Sequence, residues 1–394
     1  MPRPQLHYLT DELQQLEQKG LRFKLRVLEG EQLPVAEFDG RRVINLSSNN
    51  YLGLCTHPRL RDAALDATRR LGVGSGAVRT ITGTMAIHME LEQLIARFKH
   101  TEASVVFQSG FTANSGTVGA IMGRSDFIVS DALNHASIID GARLSRATIK
   151  VFPHKDLNAA EAILKELAPQ PGRKLLITDG VFSMDGDIAP LPGLCELAEK
   201  YGAVMMVDDA HASGVLGKNG RGTVDHFGLH GRVDVQVGTL SKAIGALGGY
   251  VAGSADLIEF LYLRGRPFLF STSHPPSVAA TCIAAFQVLE DEPERIQRLW
   301  DNTKFFKSGL KKLGFDTGMS ETPITPVMVG DGRKAMEFSR ALFQQGLLAT
   351  ALAFPTVPEG HARLRTIVTA THTEAELSEA LGILEKVGKA QGLI

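Results

Sequence analysis

The chain of 394 residues is 44% apolar, enough for two or three domains with a sizeable core. Its 42 Lys plus Arg nearly balance 43 Asp plus Glu, which argues against nucleic acid or an anionic membrane surface as partner and toward a small ligand. Three scattered cysteines, Cys55, Cys195 and Cys282, make neither a disulfide framework nor a paired metal motif and suit the cytoplasm.

The first twenty residues lack the apolar core of a signal peptide and are too acidic for a transit sequence. A helix is expected from Thr10, with Leu9, Leu13 and Leu16 on one stripe and Gly20 as its stop. The segment EFDGRRVINL reads as a hairpin turning at Asp39-Gly40. A helix over about Pro58–Leu71, a glycine-rich loop and a second helix carrying Ile87, Leu91, Leu94, Ile95 and Phe98 follow. Seven short apolar strands are then predicted at 104–107, 127–130, 149–152, 175–178, 204–207, 235–237 and 250–252, most of them separated by helix-length segments such as 158–167 and 191–201. This is an α/β pattern: a large domain with a mainly parallel seven-stranded sheet covered by helices on both faces. Beyond Pro275-Pro276 come long helices at 277–289 and 294–313, then short strands at ITPVMV and LRTIV with a helix at 334–345 between them, which suggests a smaller α+β domain. The stretch 277–289 is well short of the ~20 residues a membrane span needs. The expected division is 1–50 (helix and hairpin, packing with the small domain), 51–280 (large domain) and 281–394 (small domain).

In open α/β sheets ligands bind beyond the carboxyl ends of the strands, so polar residues that directly follow strands are the candidates. After SVVF stand Gln108-Ser109-Gly110-Phe111-Thr112 and a small-residue helix from Ala113 to Met122, a natural phosphate site, although such a turn is common. His135 follows FIVS, and the run Asp179 to Asp187 follows LLIT, where it either lines a site or caps a helix. Asp208-Asp209-Ala210-His211 closes VMMV, and acidic residues ending a buried strand are costly unless each has a partner. A cationic pyridine nitrogen is such a partner. Thr239-Leu240-Ser241 ends the next strand and delivers Lys242 ahead of Gly245, Gly248 and Gly249. A strand-end Asp, a His three residues on, a lysine after the next strand and an upstream phosphate turn are the parts needed to hold pyridoxal phosphate. Two rivals are weaker. GVGSGA at 72–77 follows a helix rather than a strand, against a dinucleotide site, and His226 with His230 lack the Glu of a zinc-hydrolase helix, so no metal is expected.

With SNNYLGL, SDALNHASIIDGARL, TDGVFSMDGDIAPL, VDDAHASGVLGKNGRG and RPFLFSTS assembled, nearly the whole chain resembles the α-oxoamine synthases, fold-type-I pyridoxal-phosphate enzymes that condense an amino acid with an acyl-CoA. Within them NHASIID and RPFLFS are most like the glycine C-acetyltransferase branch, with the 8-amino-7-oxononanoate synthase branch next. The resemblance implies that Lys242 is the Schiff-base lysine and the base at the substrate α-carbon, Asp208 the partner of the ring nitrogen and His211 a hydrogen-bond partner of the ring hydroxyl. It implies that His135 stacks on the ring and donates to the thioester oxygen, that Gly110 and Phe111 hold the phosphate, and that Ser183 and Thr239 complete the cofactor contacts. Ser271 and Thr272 would reach the phosphate of a neighbouring subunit, implying a homodimer with shared sites, and Asn49 and Arg365 would take the substrate carboxylate, which suits a guanidinium fork. The expected reaction is glycine with acetyl-CoA giving 2-amino-3-oxobutyrate. The second pairing is L-alanine with pimeloyl-CoA, decarboxylating, or an enzyme with both activities, and a domain binding the cofactor without turnover is the alternative of another class.

Overall fold

The computed structural model describes residues 4–20 and 22–394; residues 1–3, at the start of the N-terminal stretch read above, and residue 21 lie outside it. Contacts divide the chain into two units, one of residues 1–48, 184–186 and 299–394, the other of residues 49–183 and 187–298.

In the first unit, helix α1 (Tyr8–Gln18) begins two residues before the expected Thr10, and none of its side chains is buried. Strands β1 (Val35–Phe38) and β2 (Arg41–Asn45) form the expected hairpin. Asp39 and Gly40 both take positive φ, 50° and 71°, the turn whose twist matches that of paired strands.

The second unit opens with α2 (Pro58–Leu71) and α3 (Ala86–Lys99). All seven apolar runs are strands: β3 (Ala103–Phe107), β4 (Phe127–Asp131), β5 (Thr148–Phe152), β6 (Lys174–Asp179), β7 (Val204–Asp208), β8 (Val235–Thr239) and β9 (Gly249–Gly253). They make one sheet in the order β3-β9-β8-β7-β6-β4-β5, parallel except that β9 runs antiparallel to both neighbours. Side chains alternate across a strand, and here both faces are buried. Val129, Leu176, Met205 and Val207 pack on one side, and Ile128, Leu175, Ile177 and Met206 on the other. The runs read as continuously apolar for that reason, and each fully buried Leu or Ile contributes about 1.5–3 kcal/mol of transfer free energy.

Between the strands lie α4 (Gly110–Ile121), α5 (Ala136–Ser145), α6 (Leu157–Leu167) and α7 (Leu191–Tyr201). Helix α4 starts three residues earlier than predicted because Ser109 and Thr112 cap it reciprocally, so that Gly110 and Phe111 form its first turn. The helix over Pro276–Asp291 also lies in this unit, and its Phe286 packs on Phe98 of α3 at 4.9 Å between ring centroids.

The helix over Glu294–Leu313 belongs to the second unit up to Arg298 and to the first from Leu299, and the first unit continues with β10 (Ile324–Gly330), a helix over Gly332–Gln344, β11 (Leu347–Leu348), β12 (Thr350–Leu352), β13 (Ala362–Ile367) and a helix over Glu374–Ala390. Strand β11 adds in parallel to β2, while β10, β13 and β12 form an antiparallel sheet. No helix among the described residues is long and apolar enough to cross a membrane.

Candidate active site

The carboxyl ends of β4, β6, β7 and β8 and the first turn of α4 enclose a cleft of about 190 Å³. It is lined by Gly110, Phe111, His135, Asp208, His211, Thr239 and Lys242, seven residues singled out from the sequence. Asp179, Ser137 and Ser241 line it as well.

Each wall follows from local chemistry. The capping box uses the N–H groups of Ser109 (to Thr112 Oγ1, 3.0 Å) and Thr112 (to Ser109 Oγ, 3.1 Å), and those of Gly110 and Phe111 stand between them at the dipole's positive end. The turn sits tightly on β9: a Cβ on Gly249 would lie 2.5 Å from Gly110 N, so a side chain there would displace it. Beside the turn, where a Cβ on Gly110 would lie 3.4 Å from Thr239 Cβ, Thr239 donates from Oγ1 to Gly248 O at 2.9 Å, tying the strand end that carries Lys242 to the glycines behind it.

The floor is acidic. Asp179 and Asp208 are register partners on β6 and β7, both buried. Asp208 accepts from Ala210 N (2.8 Å) and from Asn114 Nδ2 (2.6 Å), and Asp179 accepts from His135 N (3.4 Å). Burial, and after it the neighbouring Asp208 charge, push the Asp179 carboxyl well above the ordinary carboxylate range. His135 shifts the other way: burial lowers its pKa, Lys242 adds to the lowering, and Asp208 opposes it. Its Nδ1 pairs with Ser137 Oγ at 2.7 Å, and His211 Nδ1 pairs with the hydroxyl of buried Tyr51 at 2.8 Å. Next to Asp208, Asp209 is bound by Lys99 Nζ (2.8 Å) in an ion pair with no exposure on either side chain, and by Thr223.

The donor set fits pyridoxal phosphate. Paired carboxylates form a floor for a cationic ring nitrogen, a helix start and its N–H groups suit a dianionic phosphate, an imidazole forms one wall, and a lysine amine reaches the same cleft.

Five predicted residues lie elsewhere. Ser183 is two residues beyond the lining Val181 but does not line the cleft. Ser271 and Thr272 follow the short helix over Arg266–Phe270, and Thr272 O accepts at 2.8 Å from Nε2 of Gln108, which stands just ahead of the first turn of α4. Asn49 is the first residue of the second unit, and Arg365 is on β13 of the first. Two contributors have no assigned role in the sequence: Asp179 reads there as a strand-end acid that either lines a site or caps a helix, and Asn114, inside a small-residue helix, leaves no local signal.

Comparison with known proteins places these features in context. The model of the aminotransferase class I and II family matches residues 41–384. The chain is similar to 8-amino-7-oxononanoate synthases from Symbiobacterium thermophilum (62% identical, covering 98% of this chain and 99% of the relative) and Thermoanaerobacter pseudethanolicus (57%, covering 99% and 98%). Among solved structures it is similar to serine palmitoyltransferase from S. paucimobilis with a bound PLP-myriocin aldimine, at a TM-score of 0.94 and 35% identity over 99% of both chains.

Proposed function

The chain belongs to the class I and II aminotransferase family and, among the fold-type-I pyridoxal-phosphate enzymes, to the α-oxoamine synthases, and from that premise we propose that it catalyses the 8-amino-7-oxononanoate synthase reaction. As a family member it is a pyridoxal-phosphate-dependent acyltransferase that joins an amino acid to an acyl-CoA. The finer reading takes L-alanine and pimeloyl-CoA as substrates and rests on one observation, 62% identity over nearly the full length to a relative of that name. Glycine with acetyl-CoA, the pairing the sequence motifs put first, gains no support from the relatives, which carry the name of the second.

Bound in the cleft, pyridoxal phosphate supplies an electron sink for negative charge at the amino acid's α-carbon. The protein's part is to hold and steer. Lys242 would anchor the cofactor through Nζ and take the α-proton, and Asp208, kept in place by Ala210 N–H and Asn114, would face the ring nitrogen. Gly110 and Phe111 N–H groups would take the phosphate, and on motif resemblance Thr239 and Ser183 would complete the cofactor contacts. His211, tied to Tyr51, would meet the ring hydroxyl, and His135 would cover the ring and donate to the thioester oxygen. A C–C bond then forms from the α-carbon to the thioester carbonyl, the C–S bond breaks, CoA leaves as the thiol, and the carboxyl group departs as CO2 and is replaced by a proton. On motif resemblance the reading keeps Asn49 and Arg365 for the amino-acid carboxylate, a homodimer in which Ser271 and Thr272 serve the neighbouring site, and a cytoplasmic location.

Thiol release measured with glycine, alanine and serine crossed against acetyl-, longer acyl- and pimeloyl-CoA tests the reading. The expected optimum in kcat/KM is alanine with pimeloyl-CoA. A higher value for glycine with acetyl-CoA would overturn it and return the first pairing. For the dimer, mixing Lys242→Ala chains with chains altered at Ser271 and Thr272 should restore activity. No recovery after proven subunit exchange counts against shared sites.

A further inference from the structure

We infer that Asn114 is a positioning residue that couples the two sides of the cofactor cleft, fastening Asp208 and, through the Ser137 hydroxyl, fixing which nitrogen of His135 carries its proton. The inference rests on the cofactor reading above but concerns side chains that hold one another in the protein alone.

Asn114 is 1% exposed, on the second turn of α4 and behind the lining residues. Its Nδ2 lies 2.6 Å from Asp208 Oδ2 and 2.9 Å from Ser137 Oγ. A carboxylate only accepts, so the amide must turn its NH2 group toward Asp208, and the two N–H bonds of that group match the two acceptors. Ser137 is 0% exposed; once its oxygen accepts from Asn114, its one proton is left to donate to His135 Nδ1, 2.7 Å away. Ser137 N–H points at the same Nδ1 at 3.2 Å. Two donors on Nδ1 make that nitrogen the acceptor, so the imidazole proton sits on Nε2. The orientation has a cost visible in the structure: Asn114 Oδ1 is buried with no hydrogen-bond partner. An amide that leaves its own oxygen unsatisfied to place both N–H groups is held for what those groups do.

The consequence for charge follows. His135 faces Asp208 from β7, Asp179 from β6 through its backbone N–H, and Lys242 from the loop after β8. Donors directed at Nδ1 oppose a second proton there, in the same direction as burial, so His135 stays a neutral donor beside the cofactor.

Two variants separate this coupling from a packing role. Asn114→Leu keeps the branching at Cγ and the number of heavy atoms and removes both donors. Ser137→Ala removes the hydroxyl that joins Asn114 to His135 and leaves the contact between Asn114 and Asp208 in place. The His135 ring is followed by side-chain NMR titration of histidine-labelled apoprotein, its signal identified by its loss in His135→Gln, and cofactor affinity is read from the absorbance of pyridoxal phosphate titrated into apoprotein. Both variants should raise the pH at which His135 titrates. Asn114→Leu should also weaken cofactor binding by about tenfold or more, because a buried carboxylate loses a charge-assisted donor, while Ser137→Ala, which leaves the contact between Asn114 and Asp208 in place, should lose less affinity than Asn114→Leu. Unchanged His135 titration in Ser137→Ala, with or without a loss of melting temperature, overturns the coupling even if Asn114→Leu does not fold. Unchanged cofactor affinity in folded Asn114→Leu overturns the Asp208 arm. Wild-type apoprotein that takes up no pyridoxal phosphate, yet shows the His135 shift on substitution, sinks the cofactor reading and leaves the network standing.

Discussion

Lys99→Met should be among the most destabilising single changes in the second unit. Lys99 Nζ lies 2.8 Å from Asp209 Oδ2 and 2.5 Å from Arg221 O, and neither side chain of the ion pair is exposed. Burial alone would lower the Lys99 pKa, yet the Asp209 carboxylate reverses that and raises it above its ordinary value. Methionine fills nearly the same volume, so the loss is electrostatic: a buried carboxylate keeps Thr223 but loses its counter-ion. Removing one member of such a pair costs about 3–5 kcal/mol. For a unit of this size that is a fall in melting temperature of about 10 °C. The assay is thermal unfolding of apoprotein, so that cofactor binding does not enter. The double variant Lys99→Met with Asp209→Asn should recover a large part of the loss, since the unpaired charge is gone. A single-variant loss below about 1 kcal/mol, or a double variant no better than the single, would refute the argument.

Borohydride should fix pyridoxal phosphate covalently to wild-type protein and not to Lys242→Ala, as mass spectrometry of the intact chain will read; equal labelling removes Lys242 from its proposed role. Gly238→Ala should cost more than the usual ~1–3 kcal/mol of overpacking, because its Cβ would lie 2.3 Å from the Tyr250 ring directly across the β8–β9 pair, and Tyr250→Leu should restore part of the loss in chemical unfolding. His154, bridging Asp131 at 3.0 Å and Asp187 at 2.9 Å, has its pKa raised to about 9, as the two carboxylates overcome the opposing effect of burial. Its folded-state value lies above the unfolded ~6.5, so its contribution is complete below that pH and is lost as pH rises through about 9. The gap in melting temperature between wild type and His154→Gln should therefore shrink between pH 6 and pH 10, and a constant gap contradicts the bridge.

Much of the site is legible in one dimension because strand ends are. A parallel sheet buried on both faces forces continuous apolar runs such as LLIT and VMMV, so the first polar residue after each run marks the edge where ligands bind, and Asp208, His135, Thr239 and Lys242 stand there. The Asp39-Gly40 turn is equally local, since both residues must take positive φ. Strand order, register and the groups behind the wall are set by tertiary contact. That β9 lies antiparallel between β3 and β8, bringing Gly249 against the first turn of α4, depends on pairings between segments far apart in the chain. That Asp179 and Asp208 stand side by side depends on β6 adjoining β7 in one register, and a slip of one residue would put the two carboxylates on opposite faces of the sheet. Asn114 is the plainest case, an amide in a run of small residues whose role comes from an aspartate 2.6 Å away on another element. By itself the sequence determined which residues end strands and hence which chemistry collects at one edge. Tertiary structure alone decided which of them meet, because side-chain periodicity is a property of neighbouring residues and hydrogen-bonding distance is not.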